Sequence, residues 1–305
     1  MTNSFRIEPI GRSGLARLLH QYRQLRNDAF LPESNSHLES VLLERESVDL
    51  DHSFFAWADT ADADPVGFGL LGVRGHDDEL YASVRALGGK AHPAAIGDPR
   101  PELLRMMVDA ARKIGARTIS AEGATAPDDL TTQPPASLLQ RAGFLETQGL
   151  LGFEATRQGI LADPVYLQIG LHHVGPEDLA EFDAWLAAAD RTLPWPLQAE
   201  SFQGTSFPDM TFILIASGFG AGYLTVTDPQ LERAELLQAW VLPDLRRQQV
   251  AKGALQEVLG RYDRLETLTV PPVVPETDRE RIAFLEAVGF RQSGARRLLM
   301  EAQLK

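Results

Sequence analysis

Two stretches, one in each half of the chain, repeat a single pattern, and this repeat limits the possible folds more than any other feature. Residues 138–155 read LLQRAGFLETQGLLGFEA and residues 284–302 read FLEAVGFRQSGARRLLMEA. Each has an apolar helix end, a Gly-Phe pair, a polar turn and a closing strand. Gly143 and Gly289 fall just past the helices, where a left-handed cap favours a residue without a Cβ. The echo continues upstream. Leu103, Met107, Ala110 and Ile114 recur at helical spacing before the strand RTISAE, and Val250, Ala254 and Val258 do the same before LETLTV. Hairpin candidates precede these helices at residues 54–73 and 211–226. Each half therefore reads strand, helix, hairpin, strand, helix, strand, helix, strand. That order predicts an α+β domain with a mixed, mostly antiparallel sheet flanked by helices, present twice in tandem. Gly and Pro punctuate residues 155–164, so the expected domains are residues 1–158 and 159–305.

The size and composition agree with two soluble domains. The chain has 305 residues, 44% hydrophobic and 23% charged. It has no apolar run of membrane-spanning length and no basic-then-apolar leader pattern, so a cytoplasmic protein is expected. The absence of cysteine removes disulfides, thiolate metal sites and cysteine nucleophiles. A net charge of −13 disfavours nucleic-acid phosphates and suits cationic or amine-bearing partners. All seven histidines lie at or before His173, so the chain beyond that point has none for a Ser-His-Asp triad. His172 and His173, adjacent on a strand, face opposite ways and suit a structural role better than a metal site. Neither Gly-x-Ser-x-Gly nor a phosphate-binding Gly-x-x-x-x-Gly-Lys motif occurs, and GFGAGY (218–223), set between apolar strands, reads as a tight hairpin.

The chemistry points to VLPDLRRQQVAKGALQEVL, residues 241–259. A strand ends at Pro243, two arginines follow, and a helix opens near Val250. Such a turn gathers unpaired N–H groups and the positive end of a helix dipole, which makes an anion site. Arg246, Arg247 and Lys252 add charge. The bland alternative is a basic turn before a surface helix.

This stretch resembles the pyrophosphate-binding segment of the GCN5-related N-acetyltransferases (GNATs): a strand ending Val-x-Pro, then Arg/Gln-x-x-Gly-x-Gly/Ala. Val241, Pro243, Arg246, Val250 and Ala251 match, and FLEAVGF resembles the family's closing FYEKLGF. The resemblance implies two tandem GNAT-like domains, with acetyl-CoA as cosubstrate and no metal. Its cradle would comprise Ala239, Val241, Arg246, Arg247, Gln248, Gln249, Val250, Ala251 and Lys252. A backbone N–H around residues 239–241 would receive the thioester oxygen. The acceptor would be an amine of a small molecule or peptide, with Glu235 the best-placed base and Glu200 and Asp209 weaker ones. Trp195, Phe202 and Phe207 would line the acceptor pocket or fill an interface. No nucleic-acid or membrane partner is expected, and the halves would form a pseudo-dimeric monomer or a weak homodimer.

Two departures bear on activity. Gln249 replaces the loop's first glycine; it crowds the phosphate if φ is positive and is tolerated if φ is negative. Leu285 stands where the family often has an acid Tyr, and Leu139 is its counterpart in the first half. The first half departs further, since its matching segment, HPAAIGDPRPELLRMM, places Asp98, Pro99 and Pro101 where phosphate would sit. The second half is therefore expected to bind acetyl-CoA and the first to be a degenerate copy. The alternative is an inactive acyl-CoA-binding or interaction module, or a purely structural fold.

Overall fold

The computed structural model describes residues 5–25, 39, 42–43, 47–58, 64–76, 79–89, 97–124, 134–175, 178, 184–185, 211–227 and 229–304. The elements of the first half are β1 (Arg6–Pro9), α1 (Leu15–Leu25), β2 (Phe54–Trp57), β3 (Gly67–His76), β4 (Glu79–Gly89), α2 (Arg100–Lys113), β5 (Ala116–Ala124), α3 (Ala136–Arg141) and β6 (Leu145–Thr156). Then follow α4 (Arg157–Leu161), β7 (Ile169–His173), β8 (Thr211–Ala216), β9 (Phe219–Val226), β10 (Arg233–Val241), α5 (Val250–Arg261), β11 (Thr267–Pro275), α6 (Arg279–Val288) and β12 (Arg291–Gln303). The repeated order expected from the sequence is present, except that the residues expected to form the helix between β7 and β8 lie largely outside the described ones.

The chain forms two compact units, Met1–Gly149 with Arg297–Lys305, and Leu150–Arg296. The first unit is thus closed by a strand from the far end of the chain, whereas the second is one continuous segment. In the first, strands run in the order β1-β2-β3-β4-β5-β12, all neighbours antiparallel except β4 and β5. In the second they run β6-β11-β10-β9-β8-β7, with only β10 and β11 parallel. Both are mixed, mostly antiparallel sheets flanked by helices.

The helical spacing does its work in the cores. In the second unit, Val250, Ala254, Leu255, Val258 and Leu259 of α5 pack on Leu224, Leu236, Leu268 and Val270, together with Leu151, Phe153 and Ala155 of β6. Phe153 is 1% exposed, and truncating it to Ala would cost about 3–5 kcal/mol. Gly253 lets α5 approach β7 closely, since a Cβ there would lie 2.9 Å from the Ile169 side chain. In the first unit, Leu103, Leu104, Met107 and Ala110 of α2 pack with Ile119, Ala121 and β12's Leu298 and Met300. A separate cluster of α1's Leu15, Leu18 and Leu19 with Phe55, Phe68 and Leu70 forms that unit's second core.

The caps behave as read. Gly143 and Gly289 both have positive φ, 90° and 111°. The β8–β9 hairpin turns at Ser217 and Gly218, φ 53° and 84°, the two left-handed residues that a tight two-residue turn needs.

Candidate functional site

The site of the second unit is built by two parallel strands that stop pairing. β10 and β11 share a ladder at Arg233–Thr267, Ala234–Leu268 and Glu235–Thr269, and it ends there although β10 continues to Val241 and β11 to Pro275. The sequence explains the separation. Continued in register, Leu237 and Gln238 would face Pro271 and Pro272, which have no N–H to donate. The partners on either side take over: β10 stays with β9 through Val241–Gly222, and β11 stays with β6 through Pro275–Leu150. A bulge in β10 between Leu236 and Gln238 sits at the point of parting.

The open edge of β10 carries donors. Leu242 N–H donates to the Ala221 carbonyl at 2.9 Å. Alternation along an antiparallel ladder then turns the backbone groups of Trp240 and Gln238 towards β9, and those of Val241 and Ala239 towards the gap. Arg246 Nε accordingly reaches the Val241 carbonyl at 3.2 Å. The Ala239 and Val241 N–H groups, named from the sequence as cradle members, therefore lie along the open edge.

At the end of β10 a single 3-10 turn, Pro243–Leu245, leads into α5. Arg247 and Gln249 both have left-handed backbones, φ 64° and 63°, with Gln248 between them outside the positive-φ region. Alternation of this kind turns successive N–H groups towards one point. Gln249 is the N-cap residue of α5, and no side chain among the described residues caps the helix. Its first-turn donors thus remain for another acceptor. Gln249 adopts the positive φ named above as the crowding case, at a cost of about 1–2 kcal/mol for a residue with a Cβ. Its side chain is exposed, as are Arg246, Arg247 and Gln248, while Val250 and Ala251 anchor the first turn in the core. Gln248 Nε2 donates to the Asp244 carbonyl at 2.9 Å. Lys252 lies 3.5 Å from Asp163 Oδ2, with its side chain 14% exposed.

Glu235 is the last residue of the shared ladder. Ala234 and Leu236 point into the α5 core, so Glu235 faces the opposite side of the sheet. Gln238 and Trp240 share that side. Tyr223 hydroxyl donates to Gln238 Oε1 at 2.7 Å, and its ring stacks on Trp240 at 6.0 Å and 23°. Leu285 and Leu139 are 3% and 0% exposed and pack in the cores, so neither copy places a hydroxyl there. Glu200, Asp209, Trp195, Phe202 and Phe207 lie outside the described residues.

The first unit has the same parting. β4 and β5 pair from Leu80–Ala116 to Val84–Ala121, while β4 runs on to Gly89 and carries a bulge at Arg85. Its helix start is finished differently. Asp98 Oδ1 accepts from the Arg100 N–H at 3.0 Å, and the Asp98 carboxylate is gripped by Arg100 Nε and Nη2 at 2.8–3.0 Å. Burial works to raise the Asp98 carboxyl, but these Arg100 hydrogen bonds outweigh it and hold the group below its usual range. The Pro99 ring fills the next space: a Cβ on Gly67 or Gly89 would lie 3.0 Å from it.

Neither histidine of the His172–His173 pair joins the other. His172 Nε2 is 3.2 Å from Asp178, and the His173 ring lies 4.4 Å from that of Phe212. Among the described residues no group of three or more His, Cys, Asp or Glu is placed to hold a metal. No helix among them is long and apolar enough to cross a membrane.

The sequence reading missed three features: the parted strands, the bulge and the aromatic side of β10. The first had a legible signal, the proline pair inside TLTVPPVVP.

No family model and no curated protein matches the chain. Solved structures do. A tandem GNAT protein from the clavulanic acid biosynthesis pathway aligns over 99% of this chain and 98% of its own, at 15% identity and TM-score 0.65. A GCN5-related N-acetyltransferase from Sphaerobacter thermophilus aligns over 99% and 96%, at 15% identity and TM-score 0.58. One from Anabaena variabilis aligns over 99% and 73%, at 10% identity and TM-score 0.62. The fold is that of the GCN5-related N-acetyltransferases, in tandem.

Proposed function

We propose that the protein is an N-acetyltransferase that moves an acetyl group from acetyl-CoA directly to an amine, and that its second unit carries the reaction. One observation supports this most: the parted β10 and β11 open beside a helix N-terminus that no described side chain caps, flanked by Arg246, Arg247 and Lys252. An extended chain ending in a pyrophosphate fits both parts at once. Its amides add to the β10 edge as a strand would, and its phosphates meet the 248–252 N–H groups with the helix dipole behind them. The fold likeness adds weight.

The residues would then divide the work as follows. The Ala239 or Val241 N–H donates to the thioester oxygen and stabilises the charge it gains as the amine adds. The amine nitrogen forms the C–N bond, the C–S bond breaks, and the thiolate leaves. Glu235, on the acceptor side of the sheet, takes the ammonium proton directly or through water. With Leu285 and Leu139 in the cores, solvent protonates the thiolate. Without cysteine the acetyl group has no thiol to rest on, which agrees with direct transfer.

The first unit is a scaffold in this account. An internal carboxylate would hold the place of the phosphate, and a proline ring packs on Gly67 and Gly89 beside it. A catalytically inactive acyl-CoA-binding module is the second reading, favoured by the strained Gln249 and the missing tyrosine. Calorimetry with acetyl-CoA, followed by an amine panel read by thiol release, separates the two. Binding with turnover supports the enzyme, binding without turnover across the panel supports the module, and no binding refutes both.

A further inference from the structure

The two units align strand by strand on their bulges, and the alignment isolates one hydroxyl. Leu237 and Arg85 are the extra residues of the bulges in β10 and β4. Counting back from them sets Glu235 against Ser83. Their partners follow: Thr269 matches Ser120, and Thr227 matches Gly72. Thr269 Oγ1 lies 3.3 Å from the Ala234 carbonyl, and Ser120 Oγ lies 3.5 Å from the Ala82 carbonyl. Both units keep that long contact. The contact at Thr227 belongs to the second unit alone. Thr227 N–H donates to the Glu235 carbonyl at 2.9 Å, and Glu235 N–H donates to Thr227 Oγ1, also at 2.9 Å. One residue, 7% exposed, thus holds both backbone polar groups of Glu235.

The hydroxyl is used because the hairpin stops. In the first unit β3 and β4 pair on past Gly72–Ser83 to His76–Glu79, so that pair lies inside a continuous ladder. In the second unit β9 ends at Val226. A regular antiparallel pair at the next residue would exchange two backbone bonds. The backbone makes one of them, and the Thr227 side chain makes the other. On its other edge β10 leaves β11 at the same residue, and the bulge follows. Glu235 is therefore the joint at which β10 passes from one neighbour to the other.

We infer that Thr227 is a positioning residue for acetyl transfer and acts through Glu235; this rests on the reading of Glu235 as the base. The carboxylate and the hydroxyl occur together in the second unit, and both are missing from the first, where Ser83 and Gly72 stand. Proton transfer from an ammonium depends on where the carboxylate is held, and the paired Thr227 bonds fix the point from which the Glu235 side chain leaves the sheet. Without the hydroxyl, the Glu235 N–H loses its acceptor at the joint.

The test uses the full-length protein with acetyl-CoA and a panel of spermidine, tyramine, glucosamine and lysine ethyl ester, read by thiol release on the best acceptor. Thr227→Val should lower kcat about tenfold with acetyl-CoA affinity unchanged, the size of effect expected when a catalytic group is displaced. Thr227→Ser, which keeps the hydroxyl, should stay within about threefold of the native kcat. In a Glu235→Gln background, Thr227→Val should change kcat by less than about twofold, because its route of action is already gone. Thr227→Ala replaces the valine variant if that one does not fold. Full activity in Glu235→Gln, an unchanged kcat in Thr227→Val, or an equal loss in both backgrounds overturns the inference and leaves the acetyltransferase reading intact. The Hα–Hβ couplings of Glu235, measured by NMR without any amine, need no turnover. One dominant rotamer in the native and Ser proteins that becomes averaged in Val supports the positioning role even if no amine is acetylated, an outcome that sinks the enzyme reading alone. Couplings that the three proteins share overturn the inference.

Discussion

Helices α2 and α5 begin at the same point of the same fold, and their first turns are completed in opposite ways. In α2 the chain brings its own anion. The Asp98 carboxylate accepts from the Arg100 N–H and is clasped by the Arg100 guanidinium, and Pro99 packs on Gly67 and Gly89. In α5 no described side chain caps the helix, two residues are held left-handed, Arg246 and Arg247 are exposed, and Lys252 lies beside the exposed Asp163. Both units keep the parted strands and the bulge, so those features do not distinguish them. What differs is whether the positive end of the helix is already occupied. On the proposed reading, the first unit has lost its binding site by supplying a carboxylate from within, with little change to the sheet.

The contrast can be broken from either side. The largest effect is expected for Arg246→Glu with Arg247→Glu, which reverses two charges at the cradle. Calorimetry should show acetyl-CoA binding about 100-fold weaker, at two charge-assisted contacts of roughly 1.5 kcal/mol each. Gln248→Asp places a carboxylate two residues before Val250, as Asp98 stands two before Arg100; about tenfold weaker binding is expected, with the melting temperature nearly unchanged. Replacing Pro271 and Pro272 by Val and Thr restores two N–H donors to β11. If the prolines keep the strands apart, binding falls several-fold while stability holds or rises, and unchanged binding would show that the bulge suffices.

Smaller effects sharpen the contrast. Gln249→Gly relieves a left-handed residue and should stabilise the second unit by about 1 kcal/mol in denaturant titrations, without loss of affinity. Asp98→Asn weakens the first unit's helix start by about 0.5–1 kcal/mol and should create no acetyl-CoA site. The same change has a pH signature. The folded-state pKa of Asp98 is depressed, so its contribution is fully present above the ordinary aspartate pKa of about 4 and is lost as pH falls through the lower folded value. Asp98→Asn should therefore narrow the stability gap between pH 6 and pH 3, read as denaturation midpoints. An unchanged gap would mean that Asp98 is not serving as the cap.

Much of this was legible before any coordinates. Helical spacing in Leu103, Met107, Ala110 and in Val250, Ala254, Val258 named the two core helices, and the Gly-Phe echoes placed their closing elements, because burial and caps leave local marks. Asp98 and Pro99 also marked the first helix start as unsuited to phosphate, since charge and a missing N–H are properties of the residues themselves. Gln249 was only half legible. A residue type does not report its own φ, and the left-handed backbone follows from how β10, the Pro243 turn and α5 must join. The exchange of closing strands left no mark either. Residues 145–156 and 291–303 share one pattern, so either could close either sheet by composition. Trp240's place on the side of β10 away from α5 depended on the bulge, which resets the faces of β10 by one residue.

The central claim is that only the second unit has room for the cosubstrate. Isothermal titration of the full-length protein with acetyl-CoA tests it directly, as native chain and as the Arg246→Glu, Arg247→Glu variant. The account predicts one site per chain, abolished or about 100-fold weaker in the variant. Two sites per chain, or one whose affinity ignores both arginines, would contradict it.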